Sequence, residues 1–124
     1  MKDHYDVGIL GVWYGCNYGS IATYYALQQT IEKLGYSTLM VHYPRLKPDD
    51  ISPSYHVSEI GELNKYCDAF VLGSDQLWNY GVTKIFGHSY FLDFAGDDKK
   101  KIAYATSFGS GDFQAPKDFT EKAV

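Results

Sequence analysis

The chain has 124 residues, enough for one domain with a hydrophobic core and too few for two full domains. Hydrophobic residues make up 45% of the sequence and charged residues 21%, which excludes a long disordered tract. The net charge is −4, and the only basic cluster is at residues 99–101, so a nucleic-acid partner is excluded. The 12 tyrosines favour a surface that contacts sugars or a protein partner.

Residues 7–12 are a short apolar run that predicts a strand buried on both faces of a parallel sheet. A helix follows from Ser20, which is placed to cap it, and Gly35 provides its left-handed end. Residues 36–43 predict a second strand, so this part of the chain forms a βαβ unit. The apolar residues at helical spacing are Ile21, Tyr24, Leu27, Ile31 and Leu34.

Residues 44–57 contain three of the four prolines and predict an exposed loop. Residues 58–66 predict a short helix with Ile60 and Leu63 facing inward. Residues 68–72 predict the next buried strand. The predicted fold class is therefore α/β, with a Rossmann-like open parallel sheet flanked by helices.

Residues 79–96 have no clear period apart from a short strand predicted at residues 90–94. Residues 100–109 have the small and apolar pattern of a central strand. Pro116 followed by acidic residues predicts the start of a helix. Because little sequence follows that start, we expect residues 1–124 to be a fragment of a longer protein.

The two cysteines, Cys16 and Cys67, have no zinc or disulfide spacing, which favours a reducing compartment. The apolar run at residues 7–13 is too short to span a membrane and lacks a cleavage pattern. We therefore expect a cytoplasmic protein with no transmembrane segment. The histidines show no metal-ligand spacing, so no metal site is predicted.

Three polar loops follow predicted strands, and in open parallel sheets ligands bind where the carboxyl ends of the strands meet. The loops read YGCNYGS at residues 14–20, GSDQLWN at residues 73–79 and SFGSG at residues 107–111. Their shared position predicts a site at this edge of the sheet.

The first of these loops places Gly15 and Gly19 on either side of three residues, directly before a helix. Backbone amides there either hold a phosphate or carboxylate or simply make the turn. The nucleotide-binding glycine patterns are absent. Cys16 is either a nucleophile or a small packing residue.

The second loop is the most specific. Asp75 either caps the following turn or acts as a general base for a substrate hydroxyl. Gln76, Trp78 and Asn79 provide two amides and an indole, a set that suits a sugar ring. Among the histidines, His88 is the catalytic candidate.

The order of four blocks, GCNYGSIATYYALQQTIEKLGY, DAFVLGSDQLWN, YFLDF and KKIAYATSFG, resembles the N-terminal region of the polysaccharide pyruvyl transferase family. The resemblance implies the first lobe of a two-lobed, GT-B-like enzyme. It also implies transfer of pyruvate from phosphoenolpyruvate to a sugar of a surface polysaccharide, as a ketal. The residues that match the family blocks are Asn17, Tyr18, Gly19, Ser74, Asp75, Gln76, Trp78, Ser107, Phe108 and Gly109. The resemblance does not assign their individual roles; we expect Asp75 to be catalytic and the others, with Asn79, to bind substrate.

The implied donor is phosphoenolpyruvate, with no cofactor, and the acceptor is a glycan or a lipid-linked saccharide. A lipid-linked acceptor would place the protein at the inner face of the membrane. Because the only arginine is Arg45, we expect the main anion-binding residues in the second lobe and no activity from these 124 residues alone. An exposed lobe interface also predicts self-association.

Two other functions are open at this point. One is a glycosyltransferase lobe that uses a nucleotide-sugar donor. The other is a non-catalytic interaction domain.

Overall fold

A computed structural model of the chain describes residues 2–11, 18–41, 59–83, 87–109, 111 and 115–123. The strands that it contains are β1 at Tyr5–Leu10, β2 at Thr38–Met40, β3 at Cys67–Leu72 and β4 at Lys100–Ala103. All of them pair in parallel, in the order β2-β1-β3-β4. The predicted α/β fold with a Rossmann-like open parallel sheet is confirmed.

The two central strands, β1 and β3, are apolar on both faces. Ile9 and Leu10 of β1 are fully buried, as is Phe70 of β3. Strands of this kind require a covering layer on each side of the sheet, because neither face can be exposed to water without losing burial of apolar surface. The remaining elements supply these two layers.

On one face lies the helix α1, Tyr18–Lys33. It begins two residues before the predicted start, so Ser20 lies inside its first turn and is not the capping residue. The sequence pattern missed this turn because Gly19 and Ser20, which are typical of loops and caps, follow Tyr18. The helix is followed by Gly35 with φ +96°, as predicted.

The buried face of α1 packs on the sheet through Tyr24, with Leu27 and Ile31 partly buried against the same cluster. Leu34, which was predicted to face inward, is 70% exposed. It follows the last helical residue and lies in the turn before Gly35, so it no longer shares the helical face.

Tyr24 fits against the backbone at the ends of the two central strands. A Cβ atom built on Gly11 would lie 2.0 Å from the Tyr24 ring, and one built on Gly73 would lie 2.1 Å from it. Each glycine directly follows the last residue of its strand, β1 or β3. The ring of a buried tyrosine therefore requires glycine at both positions.

We predict that Gly73→Ala lowers the free energy of unfolding by about 1–3 kcal/mol, because the added methyl group overlaps the Tyr24 ring. Gly61→Ala is the matched control, since no atom lies within 4 Å of a Cβ there. Urea unfolding of both variants measures the difference. Equal stability of the two variants would contradict the close contact.

The other face of the sheet is covered by a 3₁₀ helix at Ile60–Lys65 and by residues 77–78 and 90–95. Ile60 and Leu63 are buried, as predicted. The strand predicted at residues 90–94 is wrong, because Ser89–Phe91 forms a second 3₁₀ helix. Leu92 ends it with φ 57°, a left-handed conformation that stops any extended run.

β4 is an edge strand of the described sheet and not the predicted central strand. Its side chains are exposed, with Ile102 at 44%. It is also shorter than predicted, because Ala105 adopts φ 54° and turns the chain away from the strand direction. An apolar pattern predicts a strand but does not reveal whether a neighbour covers it.

Two short helices complete the described elements: α2 at Tyr80–Thr83 and α3 at Lys117–Ala123. The start predicted from Pro116 is confirmed, since Thr120 N–H donates to Pro116 O at 3.0 Å. None of the helices in the described ranges is both long enough and apolar enough to cross a bilayer. The loop predicted at residues 44–57 lies outside the described residues.

Candidate functional site

The loop after β3 and the segment after β4 are joined by backbone hydrogen bonds. Ser107 N–H donates to Asp75 O at 3.0 Å, and Trp78 N–H donates to Ser107 O at 3.1 Å. The Thr106 hydroxyl adds a bond to Gly73 O at 3.0 Å. Two of the three predicted loops therefore meet at the carboxyl edge of the sheet and form one surface.

The first loop is described only where it enters α1. Tyr18 and Gly19 lie in the first turn of that helix and are exposed. Asn17 and Cys16 lie outside the described residues, as do His42 and His56. The roles predicted for these residues stay predictions.

Asp75 lies half-buried in the turn, and Ser74 beside it is equally half-buried. The Oδ1 atom of Asp75 accepts the N–H of Gln76 at 2.7 Å. The carboxylate thus contacts the backbone of its own turn, and both roles predicted for it, cap and general base, stay predictions. If Asp75 acts as a general base, its other oxygen, Oδ2, is the atom that accepts the proton.

The two amide side chains of the turn are hydrogen-bonded to each other. Asn79 Nδ2 donates to Gln76 Oε1 at 3.0 Å, and Asn79 Oδ1 accepts the N–H of Gly81 at 3.1 Å. Leu77 between them is fully buried and anchors the turn in the core. The amides are therefore held on a turn that the buried Leu77 anchors, and not on a mobile loop tip.

Gly109 lies against these amides. It has φ +75°, and a Cβ atom there would lie 2.3 Å from Gln76 Oε1 and 3.0 Å from Asn79 Nδ2. Both its backbone conformation and its clearance therefore require glycine. The sequence predicted Gly109 as a site residue, and the structure gives it the role of leaving room for Gln76.

Trp78 is held by the protein on several sides. Its indole N–H donates to Tyr90 O at 2.8 Å, and its ring stacks on Phe91 with a centroid distance of 6.0 Å. Phe108 lies against it at 5.4 Å and is itself more exposed. The aromatic surface available for a sugar at this edge is therefore that of Phe108 together with the free part of the indole.

His88 belongs to an aromatic cluster that joins distant parts of the chain. Its ring stacks on Phe119 of α3 at 4.0 Å, and its Nε2 atom lies 2.8 Å from Phe119 O. Tyr80 and Phe91 also contact Phe119. A proton-transfer role for His88 would then rest on Nδ1, since Nε2 is engaged by the carbonyl.

Sequence reasoning missed Phe91 and Phe119. No local pattern pairs residue 119 with residue 88, and the only available signal was the high aromatic content of the segment 78–91. The cluster matters for the site because Phe91 is also the ring on which Trp78 stacks.

Cys67 is a buried thiol. It is 1% exposed, and burial, with a further contribution from the charge of Asp68, raises its pKa to about 12. At neutral pH it is protonated and packs as a small apolar side chain. It provides no nucleophile.

A group of three ligand-type side chains lies at the opposite, amino end of the sheet. Ligand atoms of His4, Asp6 and Asp68 lie within 4.8 Å of one another. Ser37 donates to the Asp6 carboxylate through its N–H at 2.7 Å and its hydroxyl at 2.8 Å, which lowers the pKa of that carboxyl. His4 lies 3.1 Å from Asp68. These groups are engaged with protein partners and lie away from the loop surface.

Two grooves of about 540 and 530 Å³ run beside α1 on its face of the sheet. Their shared walls are Ile31, Leu34, Val71 and Ile102. Of the predicted site residues only Ser74 reaches one of them. The predicted polar site is therefore a surface at the strand ends and not one of these apolar grooves.

A comparison with family models shows to which family the chain belongs. The model of the polysaccharide pyruvyl transferase family matches residues 17–121. The chain belongs to this family. Comparison with curated proteins and with solved structures gave no match. The family match spans both of the joined loops, α1 and most of α3, so the surface described above lies inside the region that defines the family.

We predict that Gly109→Ala displaces the Gln76 side chain, because the added methyl group overlaps Oε1 and Cδ. Gly35→Ala is the matched control: its φ is +96°, so it carries similar backbone strain, but no atom lies within 4 Å of its Cβ. Both variants lose stability, by about 1 kcal/mol from the strain. Only Gly109→Ala shifts the side-chain amide resonances of Gln76 and Asn79 in an NMR spectrum. Unshifted resonances would contradict the contact.

Proposed function

We propose that the protein transfers the pyruvyl group of phosphoenolpyruvate to a sugar of a surface polysaccharide. The observation that carries this proposal is the family match over residues 17–121. The joined loops support it, because they present a carboxylate, two amides and aromatic rings together, a set suited to a saccharide.

The reaction balances without a cofactor. Two hydroxyl oxygens of the sugar form bonds to C2 of phosphoenolpyruvate, and the bond between C2 and the phosphate oxygen breaks. One hydroxyl proton ends on C3, which becomes a methyl group, and the other leaves with inorganic phosphate. The products are a pyruvyl ketal and phosphate, so a group that removes a hydroxyl proton is needed.

Asp75 is the candidate for that group. Its Oδ1 atom is fixed by the Gln76 N–H at 2.7 Å, which holds the carboxylate in one orientation. A half-buried carboxylate on a buried turn is positioned by the strand before it, as a catalytic base must be. His88 stays a second candidate for proton transfer, through Nδ1.

The anionic donor, phosphoenolpyruvate, needs binding residues other than those of the two joined loops. Neither joined loop, at residues 74–79 or 104–109, contains a lysine or an arginine. A phosphate and a carboxylate are usually bound by arginine forks or by helix N-termini. We therefore place the donor groups outside these loops, in a second, GT-B-like lobe of the natural protein, and assign the loops to the acceptor.

We also propose that the reaction takes place in the cytoplasm, with a glycan or a lipid-linked saccharide as acceptor. The free thiol of Cys67 is consistent with a reducing compartment. A lipid-linked acceptor would bring the protein to the inner face of the membrane as a peripheral protein.

The function is tested by phosphate release from phosphoenolpyruvate, measured with the natural polypeptide that carries these 124 residues and a panel of saccharides. Saccharide-dependent release with formation of a ketal supports the proposal. Consumption of a nucleotide sugar in its place would favour a glycosyltransferase. Absence of both reactions, with retained binding of a protein partner, would favour an interaction domain.

We predict that Asp75→Asn lowers kcat roughly 100-fold or more while the protein stays folded, because the amide oxygen still accepts the Gln76 N–H but cannot take a proton. Asp97→Asn is the control; Asp97 is exposed and lies before β4, at the amino end of the sheet. Unchanged kcat with a lower free energy of unfolding would show that Asp75 only caps the turn.

A further inference from the structure

The orientation of the Gln76 amide follows from a chain of hydrogen bonds. The backbone N–H of Gly81 can only donate, so the Asn79 atom 3.1 Å from it must be the oxygen Oδ1. The other Asn79 atom is then the donor Nδ2, and the Gln76 atom 3.0 Å from it must be Oε1. The Gln76 Nε2 group is thereby directed away from Asn79.

The Nε2 group is available to a ligand. Gln76 is exposed, and within the described part of the chain no acceptor takes its two hydrogens. Its position is fixed from both sides, by the bond from Asn79 and by close contact with the backbone of Gly109. A long, flexible side chain is thus held in one orientation before any ligand binds, which lowers the entropy cost of binding.

The charge near the Gln76 amide favours a neutral ligand over an anion. The Asp75 carboxylate accepts the backbone N–H of Gln76, so a negative charge lies one residue before the presented amide. No lysine or arginine is present in residues 74–79 or 104–109 to offset it. An anion would be repelled, whereas a neutral hydroxyl can donate to the carboxylate and another oxygen of the same sugar can accept from the amide.

We propose that Gln76 Nε2 donates a hydrogen bond to an oxygen of the acceptor saccharide while Asp75 accepts from a neighbouring hydroxyl, and that Asn79 is a positioning residue that fixes the Gln76 amide. This inference rests on the proposed function, and it assigns the loop surface to the neutral acceptor and not to phosphoenolpyruvate. Asn79 does not contact the saccharide.

Two variants remove the hydrogen-bond donor that Gln76 presents, in different ways. Gln76→Met replaces the amide by an uncharged side chain of similar length. Asn79→Asp still accepts the Gly81 N–H but can no longer donate, so the Gln76 amide rotates to give Nε2 to the new carboxylate and presents Oε1 to the ligand. Gln28→Met on α1 is the control, since Gln28 bonds to Thr38 far from the loops.

The experiment is an NMR titration of the natural polypeptide that carries these 124 residues, with methyl glycosides of glucose, galactose and mannose and separately with phosphoenolpyruvate. We expect at least one glycoside to shift the Gln76 side-chain amide and the Ser107 backbone amide, and phosphoenolpyruvate to shift neither. Both loop variants should weaken glycoside binding roughly three- to tenfold, the effect of one lost hydrogen bond, with the thermal midpoint retained. Gln28→Met should bind as the unchanged chain does.

Three results would overturn the inference: shifts caused by phosphoenolpyruvate alone, no shift with any glycoside, or unchanged glycoside binding by Asn79→Asp. Failure of the proposed function gives a different pattern. Glycoside binding at Gln76 without phosphate release from phosphoenolpyruvate would reject the transfer reaction and keep the saccharide site. Transfer of pyruvate without a response at Gln76 would keep the transfer reaction and reject the saccharide site.

Discussion

The backbone hydrogen bonds between the turn after β3 and the segment after β4 are the interaction on which the site depends. Ser107 donates to Asp75 O and accepts from Trp78 N–H, so a single residue of one segment fixes both ends of the other turn. These bonds bring Gly109 against Gln76 and Phe108 against Trp78. Without them the polar and aromatic groups would belong to two separate loops.

A second constraint positions this pair relative to α1. The buried Tyr24 ring contacts Gly73, the residue from which the turn after β3 starts, and Gly11 at the end of β1. The helix and the ends of both central strands are thereby packed around one ring. Because protein interiors are close-packed, a shift of this helix must be transmitted to the turn. The first loop enters α1 at Tyr18, so all three predicted loops are connected to the same packing unit.

Much of the fold could be predicted from the sequence because hydrophobic periodicity directly reflects burial. The apolar runs at residues 7–12 and 68–72 predicted the strands that lie at the centre of the sheet, and the spacing around Tyr24 predicted the helix between them. The element bounds that the sequence did not predict also have physical reasons. The first turn of α1 contains Gly19 and Ser20, which are typical of loops and caps, and the left-handed Ala105 shortened β4 without any glycine to mark it.

The site was predictable in its position and not in its atomic detail. Parallel strands bring their carboxyl ends to one edge, so the meeting of the loops at Asp75 and Ser107 followed from topology. The contact of His88 with Phe119 had no local signature, because the two residues are far apart in sequence. The direction of the Gln76 amide depends on individual donor and acceptor atoms, which no sequence pattern records.

The two loops form one hydrogen-bonded unit. Amide hydrogen exchange followed by NMR tests it most directly, because the Ser107 and Trp78 amides are protected only if they donate across the two loops. Ser107 is exposed, so burial alone cannot slow its exchange. We predict that both amides exchange much more slowly than the amide of the exposed Asp97, and that they open together. Fast exchange at Ser107 and Trp78, at the rate of an unstructured chain, would contradict it.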